Sequence, residues 1–287
     1  MSAKKIVVAD DYGLWAAEWA RVLQDKRPGQ YEVIPVDRPS AMGEQLDEDH
    51  DIWLLVIDMD FYRVTADTGL RALITAEAHA RRRPADRPLH TIVSTVDDND
   101  NRFLFLHTAF QCFNPPPVDL IFKDPGFDCA ALSAVDALAR GDRPAGDRFA
   151  RFTRNGLDEP LIRRLLGGKC NTRGVPIKLA LWQALAGISA DPGDTVRGVQ
   201  QLQAATGITS KHIYTYLNPA LEVAQSLAAD MRLPPRSVLD APAPERREAN
   251  DVLSGLREFA VLHMLFFQAP ELPEIVKDRL IDRGRGK

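Results

Sequence analysis

Cysteine is scarce in this chain. Three occur among 287 residues, Cys112, Cys129 and Cys170, far apart in sequence. That spacing fits neither a disulfide framework nor a zinc site. The three read as reduced, mostly structural thiols. Long apolar runs are also lacking: no stretch of the sequence approaches the roughly 18 residues that a membrane helix needs. The opening MSAKKIVVADD has no apolar segment of signal-peptide length before its first acids. The expectation is a cytoplasmic protein with no membrane partner. Repeats and low-complexity tracts are absent as well.

The composition that remains is ordinary for a globular chain, 45% hydrophobic and 26% charged, and the length suggests two domains. The net charge of −4 is unevenly spread. Residues 1–150 carry 17 Lys and Arg against 25 Asp and Glu, a balance of −8, whereas residues 151–240 carry 11 against 7, a balance of +4. An acidic front and a mildly basic middle suggest two jobs. The basic segment permits nucleic-acid contact without requiring it.

The first 140 residues alternate strand and helix signals. Lys5–Asp10, Tyr31–Val36, Trp53–Asp58, His90–Thr95 and Asp119–Asp124 are short apolar runs rich in β-branched residues. Trp15, Trp19, Val22 and Leu23 share a helical face, and Thr68–Arg83, Arg102–Phe113 and Cys129–Arg140 read as further helices. This alternation predicts a doubly wound α/β domain, a five-stranded parallel sheet of flavodoxin-like topology covered on both faces. Functional sites in such sheets form beyond the carboxyl ends of the strands.

The predicted domains are 1–140, a linker at 141–150, a helical domain at 151–232, a proline-rich linker at 233–248 and a helical extension at 249–287. Within the helical part, Leu161–Leu166, Ile177–Ala186, Thr195–Ala205, Ser210–Leu217 and Ala220–Met231 read as separate helices. Asn218-Pro219 is expected to end one of them. Ala249–Phe267 reads as a single helix that folds back on the helical domain or forms a dimer seam. Trp182 reads as core. His212 and His263 lack partners at ligand spacing and read as surface or packing residues.

The strand ends carry the chemistry. The first ends in Asp10-Asp11, the third in Asp58 with Asp60 beyond, the fourth in Ser94-Thr95 and the fifth in Lys123. Side by side on one edge, they would gather carboxylates, a hydroxyl and an amine. Crowded carboxylates repel, and a divalent cation removes the conflict. A lysine and a hydroxyl opposite the cation suit a transferring phosphoryl group, and an aspartate is a known nucleophile for it.

The pieces VVADD, LLVID, TIVST and LIFKDP, in that order over residues 4–140, resemble the receiver domain of two-component response regulators. The resemblance implies that Asp58 accepts a phosphoryl group from a cognate histidine kinase. It implies that Asp10, Asp11 and Asp58, with Asp60 nearby, hold Mg2+. Lys123 would pair with the phosphoryl oxygens and Thr95 would be the switch hydroxyl. The sequence departs from the family pattern after Asp58, where MDFYRVTADTG gives a longer loop before Gly69, and after Lys123, where Asp124 precedes Pro125. Asp97–Asn101 adds negative charge after the switch position. A rival reading takes Asp58-Met59-Asp60 as the paired aspartates of a haloacid-dehalogenase-like phosphatase, with Asp60 as acid/base.

Leu202–Leu217 resembles a helix-turn-helix, with Gly207 in the turn and Leu202, Ile208 and Ile213 packing the two helices. Thr209 or Ser210 would cap the second helix. Thr209, Ser210, Lys211, His212, Tyr214 and Thr215 would then face double-stranded DNA, with Lys169, Arg173 and Lys178 as phosphate contacts. Together these readings predict a DNA-binding transcriptional regulator, acting as a homodimer and not as an enzyme. The alternatives are a phosphorylation-independent regulator or interaction module, and the phosphatase.

Overall fold

The computed structural model describes residues 3–61, 67–96, 100–144, 152, 161–166, 174–187, 195–230 and 249–281. The chain divides into two compact units, one of Met1–Asp98 with Phe105–Leu157 and the other of Asn99–Leu104 with Asp158–Lys287.

The first unit is built on five strands: β1 (Lys4–Ala9), β2 (Tyr31–Val36), β3 (Ile52–Asp58), β4 (His90–Thr95) and β5 (Asp119–Phe122). All pair in parallel, in the order β2-β1-β3-β4-β5. This is the flavodoxin-like order, whose switch point lies between β1 and β3. Helices α1 (Gly13–Lys26), α2 (Pro39–Glu48), α3 (Gly69–Ala80) and α4 (Asp100–Cys112) make the connections, and α5 (Phe127–Ala139) follows the last strand.

Two-residue alternation decides which side chains meet which helix. Ile6 and Val8 of β1, Leu54 and Val56 of β3, Ile92 of β4 and Ile121 of β5 share one face with Trp19, Val22 and Leu23 of α1 and Ala131, Val135 and Leu138 of α5. Two ion pairs fasten these helices: Arg27 grips Asp136 through Nε and Nη2, and Arg21 Nη2 donates to both oxygens of Asp128. Helix α2 was not anticipated. Its signals are brief: Pro39 in the first turn, where a missing N–H costs nothing, and buried Met42 and Leu46 one turn apart.

The second unit is helical among the described residues. Its helices are α6 (Leu161–Leu166), α7 (Gly174–Gly187), α8 (Thr195–Thr206), α9 (Ser210–Asp230), α10 (Ala249–Leu262), α11 (Met264–Phe267) and α12 (Leu272–Ile275), the last running into a π-helical turn at Val276–Ile281. Trp182 of α7 is core, as expected. It stacks on Phe267 at 4.9 Å, with Phe259 at 5.5 Å.

Two expectations fail here. Asn218-Pro219 does not end a helix, because α9 runs unbroken through Pro219. A proline inside a helix costs about 3 kcal/mol. Burying Ile213, Leu217, Ala220, Leu221, Ala224 and Leu227 along one face outweighs it. Pro219 itself is exposed, so water can serve the carbonyl it leaves unbonded. Ala249–Phe267 is not one helix either. It breaks at His263, where no proline or glycine intervenes, and the imidazole turns inward to lie 4.5 Å from the Phe259 ring. Phe259 and Phe266 are buried, whereas Leu265 is exposed.

Candidate functional site

The apolar layer shared with α1 and α5 continues into the site. One two-residue step beyond Val8, Val56, Ile92 and Ile121 come Asp10, Asp58, Ser94 and Lys123. Asp58 and Ser94 pair in register across β3 and β4. The sheet therefore presents apolar rows along most of this face and a polar row at its carboxyl edge.

The Lys123 ammonium lies 2.6 Å from Asp10 Oδ2 and 2.9 Å from Asp58 Oδ2. Backbone amides take the other two oxygens. Tyr12 N donates to Asp10 Oδ1 at 2.8 Å, and Met59 N to Asp58 Oδ1 at 2.8 Å. The Lys123 side chain is 1% exposed and that of Asp58 6%. Burial pushes the Asp58 carboxyl up to about 7, against the Lys123 charge and reinforced by Asp10. Burial also raises Asp10, opposed by Lys123 and the Tyr12 amide.

Asp10, Asp11 and Asp58 each place a carboxylate oxygen within 4.8 Å of the others. Asp11 is only partly buried, so one side of the cluster meets water. One lysine against three carboxylates leaves a negative excess in a buried place. The donor set is all oxygen, which suits a hard dication that retains some waters. These residues fit magnesium.

Asp60 does not join the three-carboxylate group. The chain has left the sheet there: Asp60 bridges Thr68 in antiparallel fashion, and Gly69 N donates to Met59 O at 3.0 Å. Thr68 Oγ1 then accepts from Leu70 N and caps α3. Residues 59–61 and 67–69 form a clasp beside Asp58. The extended loop expected between them falls at 62–66, outside the described residues. A Cβ at Gly69 would stand 2.3 Å from the Asp58 carbonyl oxygen. Glycine there permits close backbone approach, and its φ is ordinary.

Thr95 closes β4, and its carbonyl accepts from Lys123 N at 2.8 Å. Thr95 Oγ1 and Ser94 Oγ are both buried, with no hydrogen-bond partner among the described residues. Buried hydroxyls without partners are costly; Ser94 pairs in register with Asp58, and Thr95 follows it at the strand end. Ser94 was read only as a neighbour of Thr95, although the Ile92-to-Ser94 step places it on the face of Asp58. Much of the acidic Asp97–Asn101 run, 97–99, lies outside the described residues.

In the second unit, α8 ends at Thr206 and Gly207 adopts φ +67°, donating to Gln203 O at 2.8 Å. A left-handed glycine of this kind commonly stops a helix. Helix α9 begins three residues later. Leu202 and Ile213 are fully buried. Thr209 O accepts from His212 N and Ile213 N, and Thr209 Oγ1 lies 3.0 Å from His212 Nδ1. Thr209, Ser210, Lys211, His212 and Thr215 are exposed. Lys178 is partly buried, with its ammonium 5.9 Å from the Tyr216 ring. Lys169, Arg173 and the side chain of Tyr214 lie outside the described residues.

Solved structures similar to this chain include the following. RcsB of Salmonella typhimurium is 14% identical, with 83% of this chain covered, 97% of that chain and a TM-score of 0.43. The two-component response regulator RcsB in complex with DNA is 14% identical over 77% of this chain and 91% of that one, with a TM-score of 0.48. The isolated receiver domain of RcsB from Salmonella enterica serovar Typhimurium, with the phosphomimetic BeF3-, is 16% identical over 53% and 99%, with a TM-score of 0.40. No protein-family model matches the chain, and no curated protein matches it. Among the described residues, no helix is long and apolar enough to cross a membrane.

Proposed function

We infer that this chain is a two-component response regulator, in which a phospho-accepting receiver (1–140) controls a helix-turn-helix module (151–232). One observation carries the reading: a buried lysine bridges Asp10 and Asp58 at the carboxyl edge of a 2-1-3-4-5 sheet, with Asp11 in reach of a shared cation. Asp58 is the nucleophile. Its oxygen bonds to phosphorus as the phosphohistidine of a cognate kinase loses its P–N bond, and the imidazole nitrogen takes the electron pair and then a proton. Asp10, Asp11 and Asp58 would hold Mg2+, which supplies positive charge for the phosphoryl oxygens. Lys123 supplies a second positive charge, and Thr95 and Ser94 offer hydroxyl donors without partners among the described residues.

Phosphorylation would add about −1.5 to −2 charge at Asp58, taking the value for phosphorylated side chains. The surrounding loops would respond by shifting an existing equilibrium. The output is DNA binding by a homodimer through Thr209, Ser210, Lys211, His212, Tyr214 and Thr215 of paired modules. Lys169, Arg173 and Lys178 would contact phosphates. The setting is cytoplasmic.

The test is beryllium fluoride with magnesium, followed by selection of bound DNA. Binding at Asp58 that Asp58→Ala abolishes, together with enrichment of one DNA sequence, is expected. Enrichment of no sequence, with or without the phosphoryl mimic, would remove the DNA-binding reading.

A further inference from the structure

Lys123 is held by more than its two carboxylates. The Trp15 ring of α1 stands with its centroid 5.8 Å from the Lys123 ammonium. That is within reach of a cation–π attraction, which strengthens as water is removed. Trp15 is itself fixed. Its indole meets Phe127 edge-on at 5.3 Å, and Phe127 in turn meets Trp19 edge-on at 5.3 Å. Phe127 begins α5 four residues after Lys123, and its amide donates to Asp124 O at 2.9 Å. The ring stack therefore ties the first turns of α1 and α5 to the loop that carries the lysine. Trp15 packs against the core as a partly buried residue, whereas the Lys123 side chain is 1% exposed.

We propose that Trp15 is a positioning residue of the acceptor site: its ring walls the Lys123 ammonium off from water and holds it over the Asp10–Asp58 carboxylates. This rests on the receiver reading for its purpose, though the geometry stands without it. A lysine side chain has a flexible four-carbon stem and is strongly hydrated. Two ion pairs restrain its tip, and the indole stands 5.8 Å from it as a further neighbour. When a phosphoryl group replaces the Asp58 carboxylate as partner, the ammonium shifts within a walled space and does not swing into solvent. Shielding of this kind also limits water's access to the acyl phosphate.

Exchange of the Lys123 ammonium protons with water tests this, read by NMR on the full chain, with the signal assigned by its loss in Lys123→Met. The wild-type protein should exchange slowly. Trp15→Leu should exchange at least tenfold faster, while Trp15→Phe, which keeps a ring, should stay near the wild type. Trp15→Met serves in place of Trp15→Leu if that variant does not fold. Fast exchange in the wild type, an unchanged rate in a folded Leu or Met variant, or a Phe variant as fast as the Leu variant would each overturn the proposal. A parallel titration with beryllium fluoride and magnesium separates the two readings. If the wild type fails to bind the mimic while the exchange results hold, the receiver reading falls and the positioning role stands. If both hold, Trp15→Leu should weaken mimic binding several-fold.

Discussion

Lys123 Nζ and Asp58 Oδ2 meet at 2.9 Å, and neither side chain has appreciable contact with solvent. A buried ion pair is poor evidence of stability in itself, because desolvation offsets much of the attraction. Breaking one is another matter. Lys123→Met would leave Asp10 and Asp58 buried without their cation. The expected cost is about 3–5 kcal/mol in a urea titration. Adding Asp58→Asn to that variant should recover part of the loss, and strict additivity of the two changes would contradict the pairing.

Magnesium should stabilise the first unit through Asp11, the cluster's solvent-facing member. The wild type should melt at a higher temperature with millimolar magnesium than with chelator. Asp11→Asn should keep its chelator value and lose most of the magnesium increment.

Gly69→Ala should be disruptive although Gly69 opens a helix. Its Cβ would meet Asp58 O at 2.3 Å and Met59 Cα at 2.6 Å. Overpacking of that kind costs about 1–3 kcal/mol or more. Gly43→Ala is the control: the nearest atom is Thr75 Cγ2 at 3.4 Å, inside α2, where alanine favours the helix. Equal midpoints for the two variants in chemical denaturation would count against the clasp.

His263 should make the second unit sensitive to acid. Burial pushes its imidazole down to about 3 from an ordinary 6.5. Folding thus keeps the ring neutral while the unfolded chain protonates it below 6.5. Stability is full above 6.5 and falls as the pH drops toward 3, by at most about 1.4 kcal/mol per pH unit. His263→Phe should flatten that dependence in denaturation curves recorded from pH 7 to pH 4.

Lys211→Ala should weaken DNA binding about equally for all sequences and reduce the salt slope by about 1. An unchanged slope would place the DNA contacts elsewhere.

The strands were legible because a parallel sheet covered on both faces needs near-continuous apolar runs, and Lys4–Ala9 and Ile52–Asp58 are such runs. Val8 to Asp10 and Val56 to Asp58 are the same step, apolar to acid, and the sheet aligns them. Asp60 lies beyond the end of the strand at Asp58, where the period no longer says which way a side chain points, and its carboxylate is outside the group formed by Asp10, Asp11 and Asp58. Helix α2 was hidden by its brevity, with few buried anchors in ten residues. Pro219 misled for a different reason. A local penalty was legible, but the buried residues that outweigh it matter only when packed against other helices. The Trp15 ring could not have been assigned to Lys123, far along the chain, without the fold.

The polar row at the sheet's edge is simply the next course of the same masonry as the apolar rows beneath it. Val8, Val56 and Ile121 are buried beneath α1 and α5, so a bulky group added at Asp58 would have no soft floor to sink into. The load would go upward and sideways, into the loops at the strand ends. On so firm a foundation, the rim would be the moving part.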